Sequence, residues 1–177
     1  MKDARYYIER LGLTRHPEGG WFKETFRSDF VLPALGAPYD GVRVASTDIY
    51  FLLEAHDRSH LHRLQSEERW HFHAGGPMTV YALFPDGTRH DLRLGPDLER
   101  GQTFQVGVPA GSIFGATVDA SDDPERAFSL VSCTVAPGFE FADFELCERA
   151  ELLALHPEHR TLIEALTRTS AYQGNTK

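Results

Sequence analysis

Ser59-His60-Leu61-His62-Arg63-Leu64-Gln65-Ser66-Glu67-Glu68-Arg69-Trp70-His71-Phe72-His73-Ala74-Gly75-Gly76 is the stretch that decides how this sequence reads. From His60 to His73 it packs four histidines and two glutamates into 14 residues. On a strand, His60 and His62 point to the same face about 6 to 7 Å apart, so both imidazoles can converge on one ion or one substrate. A short turn over Leu64 to Ser66 returns a glutamate beside them. Two imidazoles and a carboxylate can hold a divalent metal with positions left open, and they also make an acid/base set without metal. Register decides which glutamate faces inward. Glu67 aligns with Arg69, His71 and His73, whereas Glu68 aligns with Trp70 and Phe72, and an interior takes Trp and Phe before Arg. Glu68 is therefore the expected inward residue, and His71 and His73 read as half-exposed strand positions.

On both sides of this stretch the chain continues in short β-rich runs. WFKETFR from Trp21, RVASTDIYFLLE from Arg43, MTVYALF from Met78, TRHDLRL from Thr88, TFQVGV from Thr103, SIFGATV from Ser112 and AFSLVSCTV from Ala127 join SHLHRL and RWHFH to make about nine strands. Turn formers separate them at Pro85-Asp86-Gly87, Gly95-Pro96-Asp97, Pro109-Ala110-Gly111 and Ser121-Asp122-Asp123-Pro124. Regularly spaced short strands of this kind predict an antiparallel sandwich or barrel. At the start, Ala4, Tyr7, Ile8 and Leu11 repeat at helical spacing, which predicts a helix from Asp3 to Leu11 stopped by Gly12. After Pro137-Gly138 the sequence predicts a short FADFEL strand, then helices over Glu148 to Leu155 and Pro157 to Leu166, broken at Pro157.

The remaining composition limits what the protein can do. A chain of 177 residues suits one compact domain, expected here over 1–166, with Thr167 to Lys177 as a flexible tail. Its 18 basic residues are scattered among 26 acidic ones, giving a net charge of -8, which argues against nucleic acid or an anionic membrane as partner. The first residues lack the apolar run of a signal peptide, and no stretch is long and apolar enough to cross a membrane, so a cytoplasmic location is expected. Cys133 and Cys147 lack CxxC spacing and read as reduced structural residues. Tyr50, Trp70, Phe72 and Phe114 are candidate ligand-binding walls, although aromatic strand residues also serve as plain core. Glu24 and Arg27 fall on opposite faces of the first strand and are left outside the site. His16, His56, His90, His156 and His159 stand alone or beside turns and helix ends and are assigned no chemistry.

His60, His62, Glu68 and Gly75 resemble the first motif of the cupin superfamily, with a gap from His62 to Glu68 one residue longer than usual. Pro109-Ala110-Gly111-Ser112-Ile113-Phe114 resembles the second motif, except that Phe114 stands where metal-dependent cupins place a further histidine ligand. More specifically, the chain resembles the Cupin 5 family. The marks are Leu11-Gly12-Leu13 with His16-Pro17-Glu18-Gly19-Gly20, Ile49-Tyr50-Phe51-Leu52-Leu53, the block from Ser59 to Gly75, Val108-Pro109-Ala110-Gly111, and Ala136-Pro137-Gly138-Phe139-Glu140-Phe141-Ala142-Asp143-Phe144. Pro-Glu-Gly-Gly and Pro-Gly-Phe also read simply as a turn into the first strand and an exit from the barrel. The resemblance implies a mainly β double-stranded β-helix, or jelly roll, with a short N-terminal helix and C-terminal helices. It also implies a homodimer and a fold like that of sugar-nucleotide epimerases, with no reaction common to the family.

Three functions compete on this reading. The first is an isomerase or epimerase acting on a small polar or sugar-like substrate, in which His60 or His62 moves a proton, Glu68 orients or charges that imidazole, and no metal is needed. The second is a metal-dependent oxygenase or lyase with Fe, Mn, Ni or Zn on His60, His62 and Glu68, a reading that the phenylalanine at 114 weakens. The third is a barrel that binds a small ligand without catalysis.

Overall fold

The computed structural model describes residues 2–120 and 127–168. The turn expected at Ser121 to Pro124 lies outside the described residues, as does the expected tail beyond Arg168. Thr167, where that tail was expected to begin, is buried and hydrogen-bonded to Arg149.

The opening helix, α1 (Ala4–Leu11), starts where the Asp3 carboxylate accepts the Tyr6 N–H and ends at Gly12. The strands that follow are β1 (Thr14–Arg15), β2 (Trp21–Arg27), β3 (Val31–Leu32), β4 (Arg43–Val44), β5 (Thr47–Glu54), β6 (Ser59–Leu64), β7 (Glu67–Gly75) and β8 (Met78–Leu83). After these come β9 (Arg89–Leu94), β10 (Gln105–Val108), β11 (Ile113–Val118), β12 (Phe128–Ala136) and β13 (Phe144–Leu146). The chain closes with α2 (Arg149–Leu155), a 3-10 turn at Pro157–His159, and α3 (Arg160–Leu166). Each strand predicted from the sequence is present. The run from Arg43 to Glu54 divides into β4 and β5, and the predicted FADFEL strand becomes a 3-10 turn at Phe141–Asp143 followed by β13.

Among the described residues, two antiparallel sheets form the body of a jelly roll. One runs in the order β1-β2-β5-β12-β7-β10 and the other β13-β6-β11-β8-β9, while β3 and β4 pair as a separate ribbon. Residues alternate as pleating demands. Phe51 and Leu53 of β5, Trp70 of β7, Val80 and Ala82 of β8, Phe114 of β11 and Val131 of β12 point between the sheets and form the main core. The outer faces are covered as well. Leu52 and Leu130 lie under α1, and Leu61, Leu83 and Ile113 lie under Leu152, Leu162, Ile163 and Leu166 of the C-terminal helices. The β3–β4 ribbon is tied to the barrel by Arg43, whose guanidinium donates to both Asp143 oxygens at 2.7 and 2.6 Å in a buried pair.

One irregularity controls the interior. Along β6 and β11, Phe114 pairs with His62 but Ala116 pairs with Ser59, so two residues of β6, His60 and Leu61, oppose the single Gly115. A bulge of one residue reverses the facing of everything beyond it. Ser59 and His62, three apart, therefore reach the same interior group, and the shared face expected for His60 and His62 is lost. Gly115 permits the bulge because a Cβ there would lie 2.5 Å from the Ser59 carbonyl oxygen. Gly115→Ala is expected to destabilise the protein by roughly 1–3 kcal/mol through that backbone clash. Urea unfolding checks this, and unchanged stability would show that the bulge does not need a glycine.

Candidate active site

A cavity of about 100 Å³ opens between the sheets. Its walls include Phe22, Ile49, Phe51, Leu64, Trp70, Val135, Phe139 and Phe144. Its polar groups are His16, Glu18, His62, Glu68 and Cys133, with Glu24, Arg27, Thr47 and Glu140 also in the lining.

Glu18 is the residue that the sequence reading passed over. It sits in the turn between β1 and β2, yet its carboxyl group is buried. The turn can lie this close to the barrel because Gly19 has φ +113°, and a Cβ there would fall 2.0 Å from the Arg58 carbonyl oxygen. His60 completes the clamp, since its backbone N–H and its Nδ1–H both donate to the Glu18 carbonyl, at 2.9 and 2.6 Å. Ser59 Oγ–H donates to Glu18 Oε1 at 2.8 Å, and Glu18 Oε2 lies 3.3 Å from His62 Nε2 and 3.5 Å from His16 Nδ1. The signal was in the sequence, in an acid set between His-Pro and Gly-Gly, but that motif also reads as an ordinary turn.

The residues singled out from the sequence separate into two groups. His62, Glu68 and Trp70 line the cavity, with Glu68 buried and Glu67 exposed as the register argument expected. His60 is not among the lining residues, and its ring is engaged with the Glu18 backbone. Tyr50 packs on the other face of β5, in the cluster beneath α1, with its ring against His73. Phe72 packs against the main core without reaching the cavity. Phe114 is buried behind the site, its ring centroid 4.2 Å from that of His62. Glu24 and Arg27, expected outside the site, both line it, because the register of β2 against β5 shifts between Glu24 and Phe26 and brings them to one side. Arg27 donates to both oxygens of Glu24. His16 and Cys133 line the cavity too.

The electrostatics follow from burial. Burial pushes Glu68 up to about 8, the negative charge of Glu18 adds to this, and hydrogen bonds from Trp70 and Cys133 oppose it. Burial likewise raises Glu18, against the opposing influence of His16 and Ser59. His62 is driven down to about 4 by burial. Its Nδ1 lies 2.7 Å from the His60 carbonyl oxygen, which assigns the proton to Nδ1 and leaves the Nε2 lone pair facing Glu18. At neutral pH the cavity therefore holds a neutral imidazole base beside Glu18 and a protonated Glu68 carboxyl, an acid and a base kept apart by their surroundings.

The metal set that the superfamily resemblance implies does not fit these positions, because His60 is not among the residues that line the cavity and Phe114, which offers no lone pair, pairs with His62 where the resemblance calls for a further ligand. Among the described residues, the three donors that approach within 4.8 Å of one another are Glu54, His56 and Asp57, outside the cavity on and after the end of β5.

These shifts make stability depend on pH in a way that can be worked out. Folded Glu68 keeps its proton to about pH 8 while an unfolded glutamate loses it near 4.5, so its contribution to stability falls as pH rises across that window. Folded His62 stays neutral down to about 4 while an unfolded histidine protonates below 6.5, so its contribution rises with pH over that lower range. The two oppose each other up to pH 6.5, above which the His62 contribution no longer changes. Stability is expected to fall between pH 6.5 and 8 by up to about 1.4 kcal/mol per unit for Glu68. Urea unfolding of wild type and Glu68→Gln checks this, and a wild-type profile as flat as the variant's would refute it.

Comparison with known proteins agrees with the fold. Residues 5–147 match the model of Cupin_5, described as cupin superfamily (DUF985). An uncharacterized protein of Saccharomyces cerevisiae is 30% identical over 139 residues, covering 74% of this chain and 68% of that one. Among solved structures, a hypothetical protein from Leishmania major superposes with a TM-score of 0.88 at 36% identity, covering 95% of this chain and 100% of its own. A protein from Shewanella oneidensis does so with a TM-score of 0.83 at 39% identity, covering 96% and 100%. Oxalate decarboxylase from Bacillus subtilis, 13% identical with a TM-score of 0.52, shares the fold alone. With its two-sheet barrel and a family match over most of its length, the chain belongs to the Cupin_5 family of the cupin superfamily.

Proposed function

We propose that this protein is an acid/base enzyme of the isomerase or epimerase kind, acting on a small polar carbonyl compound. The observation that carries this reading is a buried base pair, Glu18 Oε2 with His62 Nε2 at 3.3 Å, facing the same aromatic-walled cavity as the buried carboxyl of Glu68. In the reaction the Glu18–His62 pair takes the proton from a carbon next to the carbonyl. The C–H electron pair moves into the carbonyl system, and the Glu68 carboxyl gives its proton to the oxygen. Return of a proton to carbon, at the other face or the neighbouring position, regenerates both groups. His16, His60 and Ser59 act through Glu18, which they hold in place. Every step is a proton transfer carried by this chain's own side chains.

The test is solvent exchange. Small hydroxy- and amino-carbonyl compounds incubated with the protein in D2O are expected to gain deuterium at the carbon beside the carbonyl, read by proton NMR. His62→Ala and Glu18→Gln are each expected to slow this by about 10² to 10⁴-fold, and a chelator to leave it unchanged. A substrate that exchanges equally fast with wild type and both variants would sink the assignment, and exchange abolished by chelation would replace it with metal chemistry.

A further inference from the structure

The acid/base groups lie deep in the cavity, while a second set of charges stands nearer to solvent. Glu18, His62 and Glu68 are buried, but the side chains of Arg27, Glu24 and Glu140 are 37%, 42% and 45% exposed. Among the described lining residues, Arg27 is the one Lys or Arg. Its guanidinium is already committed. Nε and NH2 donate to Glu24 at 3.2 and 2.9 Å, NH1 donates to Glu140 at 2.8 Å, and NH2 also donates to the Phe139 carbonyl at 3.2 Å. Four of the five N–H donors of an arginine are thereby used, and no two-pronged fork remains for an incoming carboxylate or phosphate. The rim holds two carboxylates to one guanidinium, a net negative charge, beside the aromatic rings of Phe139 and Phe141.

We propose that the substrate carries an ammonium group, which the rim recognises through Glu24, Glu140 and the aromatic rings while its carbonyl end reaches Glu18, His62 and Glu68. This rests on the cavity being the functional site, and it names the substrate class as small amino-carbonyl compounds. A cation gains from the surplus carboxylate and from the faces of the phenylalanine rings. An anion meets that carboxylate with Arg27 already occupied.

Binding of three molecules of matched shape, isobutylamine, isobutanol and isobutyrate, separates the charge preference from catalysis. The probe is the indole N–H signal of Trp70, which lines the cavity, in nitrogen-15 NMR titrations, with Trp21 as the internal control. Isobutylamine is expected to bind about tenfold more tightly than isobutanol, and isobutyrate most weakly. Glu140→Gln, a change at an exposed position, is expected to bring the ratio of amine to alcohol below about threefold. A preference for isobutyrate, an amine no tighter than the alcohol, a ratio unmoved by Glu140→Gln, or a Trp70 signal that no probe shifts would each overturn the proposal. Deuterium exchange is read separately, so an amine preference without exchange defeats the enzyme and leaves the charge selection standing, while exchange without the preference does the reverse.

Discussion

The site depends on one buried carboxyl group. Glu18 reaches the interior from a turn outside the sheets, and its burial there is offset by the Ser59 hydroxyl, which donates to Oε1, and by His16 beside Oε2. Those contacts come from two separate parts of the chain, the approach to β2 and the start of β6. The Gly19 backbone and the double grip of His60 on the Glu18 carbonyl bring the two parts together. The bulge at His60 and Leu61 supplies the remaining condition, since without it Ser59 and His62 would face opposite ways. A carboxyl in apolar surroundings, a one-residue irregularity and a glycine in a left-handed turn are thus parts of a single arrangement.

Phe114 illustrates how the barrel's chemistry follows from packing. At the position where the cupin second motif carries a histidine, this chain places an aromatic ring 4.2 Å from the His62 ring. A hydrocarbon neighbour offers no lone pair and removes water, and with Phe144 on His62 as well, the imidazole is held in its neutral form. The same dryness keeps Glu68 protonated against the opposing hydrogen bond from Trp70. A site built for imidazole and carboxyl proton transfer asks for low polarity around both groups, and Phe114 and Trp70 supply it on two sides.

Much of the architecture could be read from local signals. Alternation and turn residues marked the strands, helical spacing marked α1, and the match of Trp70 and Phe72 with Glu68 gave the inward glutamate, because these follow from the period of a regular strand. Local signals lose their hold where regularity breaks. Strict alternation puts His60 on the same face as His62, which a bulge defeats, and puts Glu24 and Arg27 on opposite faces, which a register shift in β2 defeats. Tyr50 was indistinguishable from Phe51 by residue type, and only the packing of α1 shows which of the two faces out. Glu18 is a long-range case. Its partners are 41 and more residues away, apart from His16, and a motif that also reads as a turn carries no record of what it touches.

The ion pairs of Arg27 stitch β2 to the segment after β12 at the edge of the opening, half exposed to solvent. Charges in such a place are screened over roughly 8 Å at physiological ionic strength, whereas those inside a dry barrel are hardly screened at all. Dissolved salt thus weighs on the doorway and leaves the chamber alone, so the ease of entry and the chemistry within are set by different properties of the surrounding solution.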